Sequence, residues 1–187
     1  MRIISGLFKN RPLVTPKGLT TRPTSNKLRE SLFNICQSYI QEARFLDLFA
    51  GSGAVGLEAL SRGAKHATFI ENDRTSAKCI RENLATLESR TQADVICGDV
   101  FAQMQRLNKA GMKFDIIYAD PPYEAEFSEK VVSLVDASNL LADGGMLFVE
   151  DSRRGHGEYA TLTTLKLLSR REMGRSTLLQ FQKGEKK

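Results

Sequence analysis

Between residues 44 and 150 the chain repeats one pattern: a short apolar run, a turn, then an amphipathic stretch with helical spacing. The runs 44–49, 66–71, 92–97, 113–119 and 145–150 read as strands, and 53–62, 73–88, 100–109 and 126–138 as helices between them. Strands separated by helices pair in parallel through right-handed crossovers. The end differs. Residues 162–170 and 176–182 alternate across Met173-Gly174-Arg175, which predicts an antiparallel hairpin closing the sheet. The expected fold is α/β, a doubly wound and mostly parallel sheet, in one domain as 187 residues suggest. Before it, the apolar positions Leu28, Leu32, Ile35, Cys36, Tyr39 and Ile40 share one face of a helix over about 24–40, with Pro23 ahead of it and Thr24 or Ser25 as its cap. Arg2-Ile3-Ile4-Ser5-Gly6 and Arg11-Pro12-Leu13-Val14 suit two short strands of an edge hairpin. Residues 1–22 are accordingly read as a small extension and 23–187 as the main domain.

One strand stops abruptly. Phe114-Asp115-Ile116-Ile117-Tyr118-Ala119 is followed by Asp120-Pro121-Pro122-Tyr123. Proline cannot continue a ladder, and two in succession fix φ and hold the preceding residue extended. The result is a stiff corner at the carboxyl end of a strand, where open α/β sheets bind ligands. It offers a carboxylate, a proline carbonyl and an aromatic ring within four residues. Such a set accepts hydrogen bonds from a planar amino group and stacks on its base. Asp120, Pro121 and Tyr123 are the candidate catalytic residues; Tyr118, inside the strand, is most simply core.

After the first strand comes Asp47-Leu48-Phe49-Ala50-Gly51-Ser52-Gly53-Ala54-Val55-Gly56, and Glu71 follows 20 residues after Gly51. Glycines here let backbone approach a ligand and let the next helix pack closely, while an acid at the tip of the second strand accepts from ribose hydroxyls. This arrangement serves nicotinamide dinucleotides and S-adenosylmethionine alike. Asp47 helps to separate them, because a charge inside the first strand is costly unless something pairs with it. Gly98-Asp99 after the third strand is a third contact point, where Asp99 either accepts from an adenine amino group or caps the following helix. The cofactor-binding candidates are Asp47, Phe49, Ala50, Gly51, Ser52, Gly53, Glu71, Asn72, Gly98, Asp99, Val100 and Asp120.

Charge is unevenly placed. Residues 1–29 hold seven of the 27 basic side chains and no acid, so the remainder, with 20 basic and 22 acidic residues, nets −2 and the whole excess of +5 belongs to the amino-terminal segment. It is either a solvated arm or an edge that contacts phosphates. Arg153, Arg154 and His156 form a second polar loop, open to the same two readings. The cysteines Cys36, Cys79 and Cys97 are odd in number and without CxxC spacing, so buried, reduced thiols and a cytoplasmic home are expected. Two histidines leave a metal site almost no ligands, and no apolar stretch suits a membrane span.

Leu46–Gly53, Glu71, Asp99 and Asp120–Tyr123 together resemble the amino-directed S-adenosylmethionine methyltransferases. Arg2-Ile3-Ile4-Ser5-Gly6, Thr21-Arg22-Pro23-Thr24, Leu28-Arg29-Glu30-Ser31-Leu32-Phe33-Asn34 and Leu57-Glu58-Ala59-Leu60-Ser61-Arg62-Gly63 narrow the likeness. This series resembles the bacterial 16S ribosomal RNA guanine-N2 methyltransferases of the RsmD type over nearly the whole chain. One departure is Ser5-Gly6, where that family usually shows two glycines. The resemblance implies a seven-stranded, Rossmann-like methyltransferase fold with a basic amino-terminal extension. It implies S-adenosyl-L-methionine as cofactor, and as substrate 16S ribosomal RNA held within the small subunit. A monomer with no membrane partner is expected, with RNA contacts from Arg2, Lys9, Arg11, Arg22 and Arg29. Arg22 and Arg29 fall in the segment that, by the resemblance, folds over the cofactor. Guanine N2 rather than adenine N6 comes from the resemblance alone. On the residues themselves an adenine-N6 methyltransferase, a nicotinamide-dependent dehydrogenase and a non-catalytic RNA-binding module stay open.

Overall fold

Apolar runs with period two and amphipathic runs with period 3.6 become strands and helices in the expected order, and the register of the strands decides which face each side chain meets. In a computed structural model that describes residues 1–16, 26–122, 126–151, 159, 161–174 and 176–184, five helices and seven strands are seen. They run α1 (Asn26–Ile35), β1 (Arg44–Leu48), α2 (Ala54–Ser61), β2 (His66–Glu71), α3 (Arg74–Thr86), β3 (Ala93–Cys97) and α4 (Val100–Lys109). Then follow β4 (Phe114–Ala119), α5 (Phe127–Asp136), β5 (Leu141–Asp151), β6 (Leu165–Met173) and β7 (Ser176–Lys183), with a 3-10 turn at Arg90–Gln92 ahead of β3. One seven-stranded sheet takes the order β3-β2-β1-β4-β5-β7-β6. β1 to β5 pair in parallel, and β7 runs antiparallel between β5 and β6. Chain order reverses between β1 and β4, so the crevice at their carboxyl ends is where a ligand belongs.

Alternation along the strands divides the core. Phe45, Phe69, Ile116, Tyr118 and Phe148 face one layer with Leu28, Leu32, Phe33, Leu57, Ile80 and Leu84 of α1, α2 and α3. Leu46, Leu48, Ile117, Leu147 and Val149 face the other with Val100, Met104, Val131, Val132 and Val135 of α4 and α5. At roughly 25 cal/mol per Å² of apolar surface, this two-sided burial is the main force holding the sheet.

Helix α2 is unusual, because all eight of its residues are buried. A helix apolar all round needs cover on every side, and the amino-terminal segment supplies it. Ile3 and Leu13 lie in the core with Leu57 and Leu60 of α2. Glu58, with no exposed side-chain surface, accepts the backbone N–H groups of Ile4 (2.8 Å) and Ser5 (3.0 Å). Ser61 Oγ accepts from Phe8 N–H (2.9 Å) and donates to the Ser5 carbonyl (2.6 Å). On the other side, Asn83 of α3 accepts the N–H of Val14 (2.8 Å) and donates to its carbonyl (3.0 Å). Gly6 is required: its φ is +84°, and a Cβ there would stand 1.8 Å from the Ser61 carbonyl oxygen.

Several boundaries differ from expectation. The amino-terminal hairpin reduces to one antiparallel bridge, Arg2 with Pro12, because Pro12 has no N–H with which to extend a ladder. Helix α1 ends at Ile35, and Tyr39, expected on its apolar face, is half exposed. Pro23, Thr24 and Ser25 lie outside the described residues. β5 begins at Leu141 rather than 145, with an irregular register between Phe114 and Ile116 of β4. β6 starts later, at Leu165, because the Asp136 carboxylate captures the N–H groups of Thr163, Thr164 and Leu165 at 2.8–3.2 Å. Among the cysteines, Cys36 and Cys79 are buried as expected and burial pushes the Cys36 thiol up to about 12, but Cys97 is exposed at the end of the edge strand β3. Among the described residues, no helix is long and apolar enough to cross a membrane, and no group of three or more His, Cys, Asp or Glu is placed to hold a metal ion.

Candidate active site

The turn after β1 bends through three left-handed residues in five positions: Phe49 (φ +58°), Gly51 (+54°) and Gly53 (+76°). Glycine adopts that conformation freely, whereas Phe49 is strained there. The strain is held by packing: the Phe49 ring stacks on Phe127 of α5 (6.2 Å between centroids) and meets Phe101 of α4 edge-on (6.0 Å). Phe101 and Phe127 complete the trio at 5.4 Å, and Lys130 Nζ lies 4.0 Å over the Phe101 ring. Gly56 has a different purpose. A Cβ there would come within 2.3 Å of the Phe69 ring, so its absence is what lets α2 lie against β2.

Two carboxylates brace this loop. Asp47, 1% exposed, accepts the Gly56 N–H at 2.9 Å. Burial pushes its carboxyl well up, the Gly56 N–H pulls it partly back, and the nearby Asp120 and Glu71 carboxylates push it up again. Asp47 lies under the loop, level with its register partner Tyr118, on the face that Asp120 continues. Glu71, at the tip of β2, accepts the Gly51 N–H on one oxygen (2.7 Å) and the Asp73 N–H on the other (2.8 Å). An ionised carboxylate has about four lone-pair sites, so each oxygen can accept once more. At Gly51 an added Cβ would meet no atom of the described residues within 4 Å, so among them the loop faces open space.

The remaining candidates are placed as follows. Ala50 and Ser52 are half-buried in the loop, and the Ser52 carbonyl accepts weakly from Asn83 (3.4 Å). Asn72 is exposed beyond β2, and the Gly98 N–H donates to the Glu71 carbonyl at 2.9 Å. Asp99 caps α4, accepting the Ala102 N–H at 2.8 Å, and its other oxygen makes no bond among the described residues. Val100 sends its side chain into the core, and its backbone N–H lies in the first turn of α4, where it has no partner within the helix. Asp120 is half-buried and Pro121 buried at the end of β4. Tyr123, Arg22, Arg153, Arg154 and His156 lie outside the described residues. Arg2, Lys9 and Arg11 are exposed on the amino-terminal segment, and Arg2 donates to the Asn10 carbonyl at 3.0 Å.

Arg29 corrects the expectation of an RNA contact. It is 0% exposed, donates to the Arg2 carbonyl (2.9 Å) and Asn26 (2.8 Å), and stands 3.8 Å from Glu58. It holds the segment to α1 and α2 and cannot reach a phosphate from there. Sequence reasoning also missed the Glu58 hub, the Phe49–Phe101–Phe127 trio and a hydrogen bond from Tyr118 to Glu150 (3.1 Å). Of these, only an acid in the apolar Leu57–Leu60 run offered a signal, since a charge at such a position implies partners.

Comparison with known proteins places this geometry. A family model described as "Conserved hypothetical protein 95" matches residues 1–182. Ribosomal RNA small subunit methyltransferase D of Escherichia coli (strain K12) is 40% identical over 150 residues, 80% of this chain and 74% of that protein. The chain belongs to the RsmD family. The solved structure of the Escherichia coli protein yhhF matches with a TM-score of 0.87 at 35% identity, covering 100% of this chain and 99% of that one. An RNA methyltransferase from Salinibacter ruber, solved in complex with S-adenosyl-L-homocysteine, shares the fold at TM-score 0.67 and 14% identity, covering 89% and 96%. In this RsmD-family chain the resemblance found in the motifs thus extends through the amino-terminal segment, which the family model includes from residue 1.

Proposed function

We propose that the chain transfers a methyl group from S-adenosylmethionine to the exocyclic N2 amino group of a guanine in 16S ribosomal RNA of the small ribosomal subunit. One observation carries this reading. The Asp120-Pro121-Pro122 corner ends β4 beside the glycine loop of β1, at the switch point of the sheet, and Asp47 lies within electrostatic reach of both Asp120 and Glu71. The names of the relatives support a ribosomal RNA substrate, and the Salinibacter ruber complex supports the cofactor. A ribosomal substrate in turn supports a cytoplasmic setting.

The residues fit the cofactor. Among the described residues open space faces Gly51, the lone pairs left on Glu71 suit ribose hydroxyls, and the acidic lining suits a cation. Glu71, the Gly51–Gly53 loop and Asp99 would hold it. When bound, it would supply a sulfonium-activated methyl group for transfer to the amino nitrogen. The amino nitrogen of guanine is a poor nucleophile because its lone pair is delocalised into the ring. Asp120 and the Pro121 carbonyl accept its two N–H groups, which favours a pyramidal nitrogen and aims the lone pair. Fixed orientation of this kind is worth roughly 7–11 kcal/mol of barrier at best. Asp120 is then the nearest acceptor for the proton that leaves the methylated nitrogen. Tyr123 would stack on the base, worth about 1–3 kcal/mol, once the nucleotide has been flipped out. Exposed Arg2, Lys9 and Arg11 would contact phosphates, as would Arg22.

The test incubates the protein with methyl-labelled cofactor and small subunits from a strain lacking the activity, followed by mapping of the labelled base. Label on guanine N2 supports the reading. Label on adenine N6, or none on assembled subunits or on naked 16S RNA, overturns it.

A further inference from the structure

β4 and β5 run side by side in parallel with Tyr118 opposite Phe148 and Ala119 opposite Val149, so Glu150 stands on β5 at the level of Asp120. Neighbouring strands lie about 4.8 Å apart. Side chains alternate along a strand, and Phe148 and Tyr118 share the face covered by α1 and α2, so Glu150 and Asp120 share that face too. Between Val149 and Asp151, with Leu178 of β7 as a buried neighbour, a half-buried carboxylate needs a reason to be there. One of its oxygens accepts the Tyr118 hydroxyl at 3.1 Å. That bond fixes the carboxyl group from the side of β4, and the second oxygen, Oε1, takes no hydrogen bond among the described residues. Tyr118 thus has a purpose beyond filling the core: it ties Glu150 to β4 on the face that carries Asp120.

We propose that Glu150 reads the N1–H of the target base and so sets guanine against adenine; this deepens, and rests on, the guanine-N2 reading above. On its Watson–Crick edge guanine presents N1–H next to its amino group, three donated protons in a row. Adenine presents a bare N1 lone pair beside its amino group. Asp120 and the Pro121 carbonyl can satisfy an amino group of either base, so they cannot choose. A carboxylate one strand away completes a three-acceptor edge that matches guanine and sets a lone pair against the N1 of adenine. A site that hydrogen-bonds a substrate N–H rejects an analogue without it by about 10⁴–10⁵-fold; partial exposure of Glu150 brings the expectation nearer about 100-fold. Glu150 is a specificity residue in contact with substrate, and Tyr118 a positioning residue acting through it.

The experiment uses the full chain and small subunits reconstituted with guanine or 2-aminopurine at the methylated position. 2-Aminopurine keeps the amino group and replaces N1–H with a lone pair. Wild type should favour guanine by about 100-fold in kcat/KM. Glu150→Gln can still accept from Tyr118, and its amide N–H can donate to a bare N1. It should bring the ratio below about tenfold, slowing guanine and speeding 2-aminopurine, with cofactor affinity unchanged. Tyr118→Phe, which frees Glu150 without removing it, should lower the ratio by a smaller factor and leave the 2-aminopurine rate as it was. A ratio unmoved in both variants, while wild type still methylates guanine N2, overturns the role of Glu150 alone. A wild type that methylates neither base overturns the guanine reading, and this inference with it.

Discussion

Glu58 on the buried helix α2 accepts the backbone N–H of Ile4 at 2.8 Å across 54 residues of sequence. The same carboxylate takes the Ser5 N–H and the Arg62 Nε (2.8 Å) and stands beside Arg29. Glu58→Ala leaves the buried Arg29 guanidinium without its counter-charge and the part-buried Ile4 and Ser5 N–H groups without their acceptor, a loss of about 3–5 kcal/mol. At this chain length each kcal/mol moves the midpoint by about 2–4 °C. A thermal melt should fall by roughly 6–20 °C, and limited proteolysis should begin within residues 1–16. A melt within 2 °C of wild type, at about the shift of a neutral surface change, would deny Glu58 this role.

Asp120→Ala should lower methyl transfer by at least about 100-fold, in line with losing a positioned acceptor at the reacting atom. Cofactor affinity, measured by calorimetry, should stay within about threefold, a change well under 1 kcal/mol. Retained turnover would remove Asp120 from the reaction.

Neutralising Arg2, Lys9 and Arg11 together should weaken binding to small subunits and flatten its dependence on salt. Each phosphate contact contributes about 0.7–0.9 to the slope of log K against log salt, so the slope should fall by about two to three. Cofactor binding serves as the control. An unchanged slope would make the segment a structural cover for α2 with no part in RNA contact.

Asp136 predicts an acid-range effect on stability. Burial alone would raise its carboxyl, but the N–H groups of Thr163, Thr164 and Leu165 with the Thr163 hydroxyl bring it down to about 2. A carboxyl depressed in the folded state lends stability above its unfolded value near 3.9 and loses it as pH falls toward 2. Wild type should therefore lose midpoint steadily between about pH 4 and pH 2. Asp136→Asn should be less stable at neutral pH by about 1.5–3 kcal/mol and should show a shallower loss over the same window. Parallel pH profiles would show that other carboxyls govern acid unfolding.

Where local pattern decides structure, the residues announce it. The β–α alternation, the glycine loop with Glu71, and the proline stop after Asp120 could all be read directly, because turn chemistry and period are local properties. Long-range pairing was hidden. Nothing near Arg29 says that its guanidinium ends on the Arg2 carbonyl and beside Glu58, so a basic residue in a basic segment read as an RNA contact. Pro12 marked a strand end but not how little ladder would survive before it. Cys97 sits on the outermost strand, and edge position is a property of sheet order that single-strand patterns do not carry. The start of β6 at Leu165 reflects capture by Asp136, 29 residues earlier.

The way α2 hangs between its neighbours has a mechanical consequence. Its first residue follows Gly53 of the loop, and its last, Ser61, grips the leading segment at Phe8 and Ser5. A pull on the cationic front of the molecule is therefore transmitted through one stiff rod about two turns long to the Gly51–Gly53 bend. Under the proposed function, docking of the segment on RNA and seating of a small molecule at that bend would act on opposite ends of this rod.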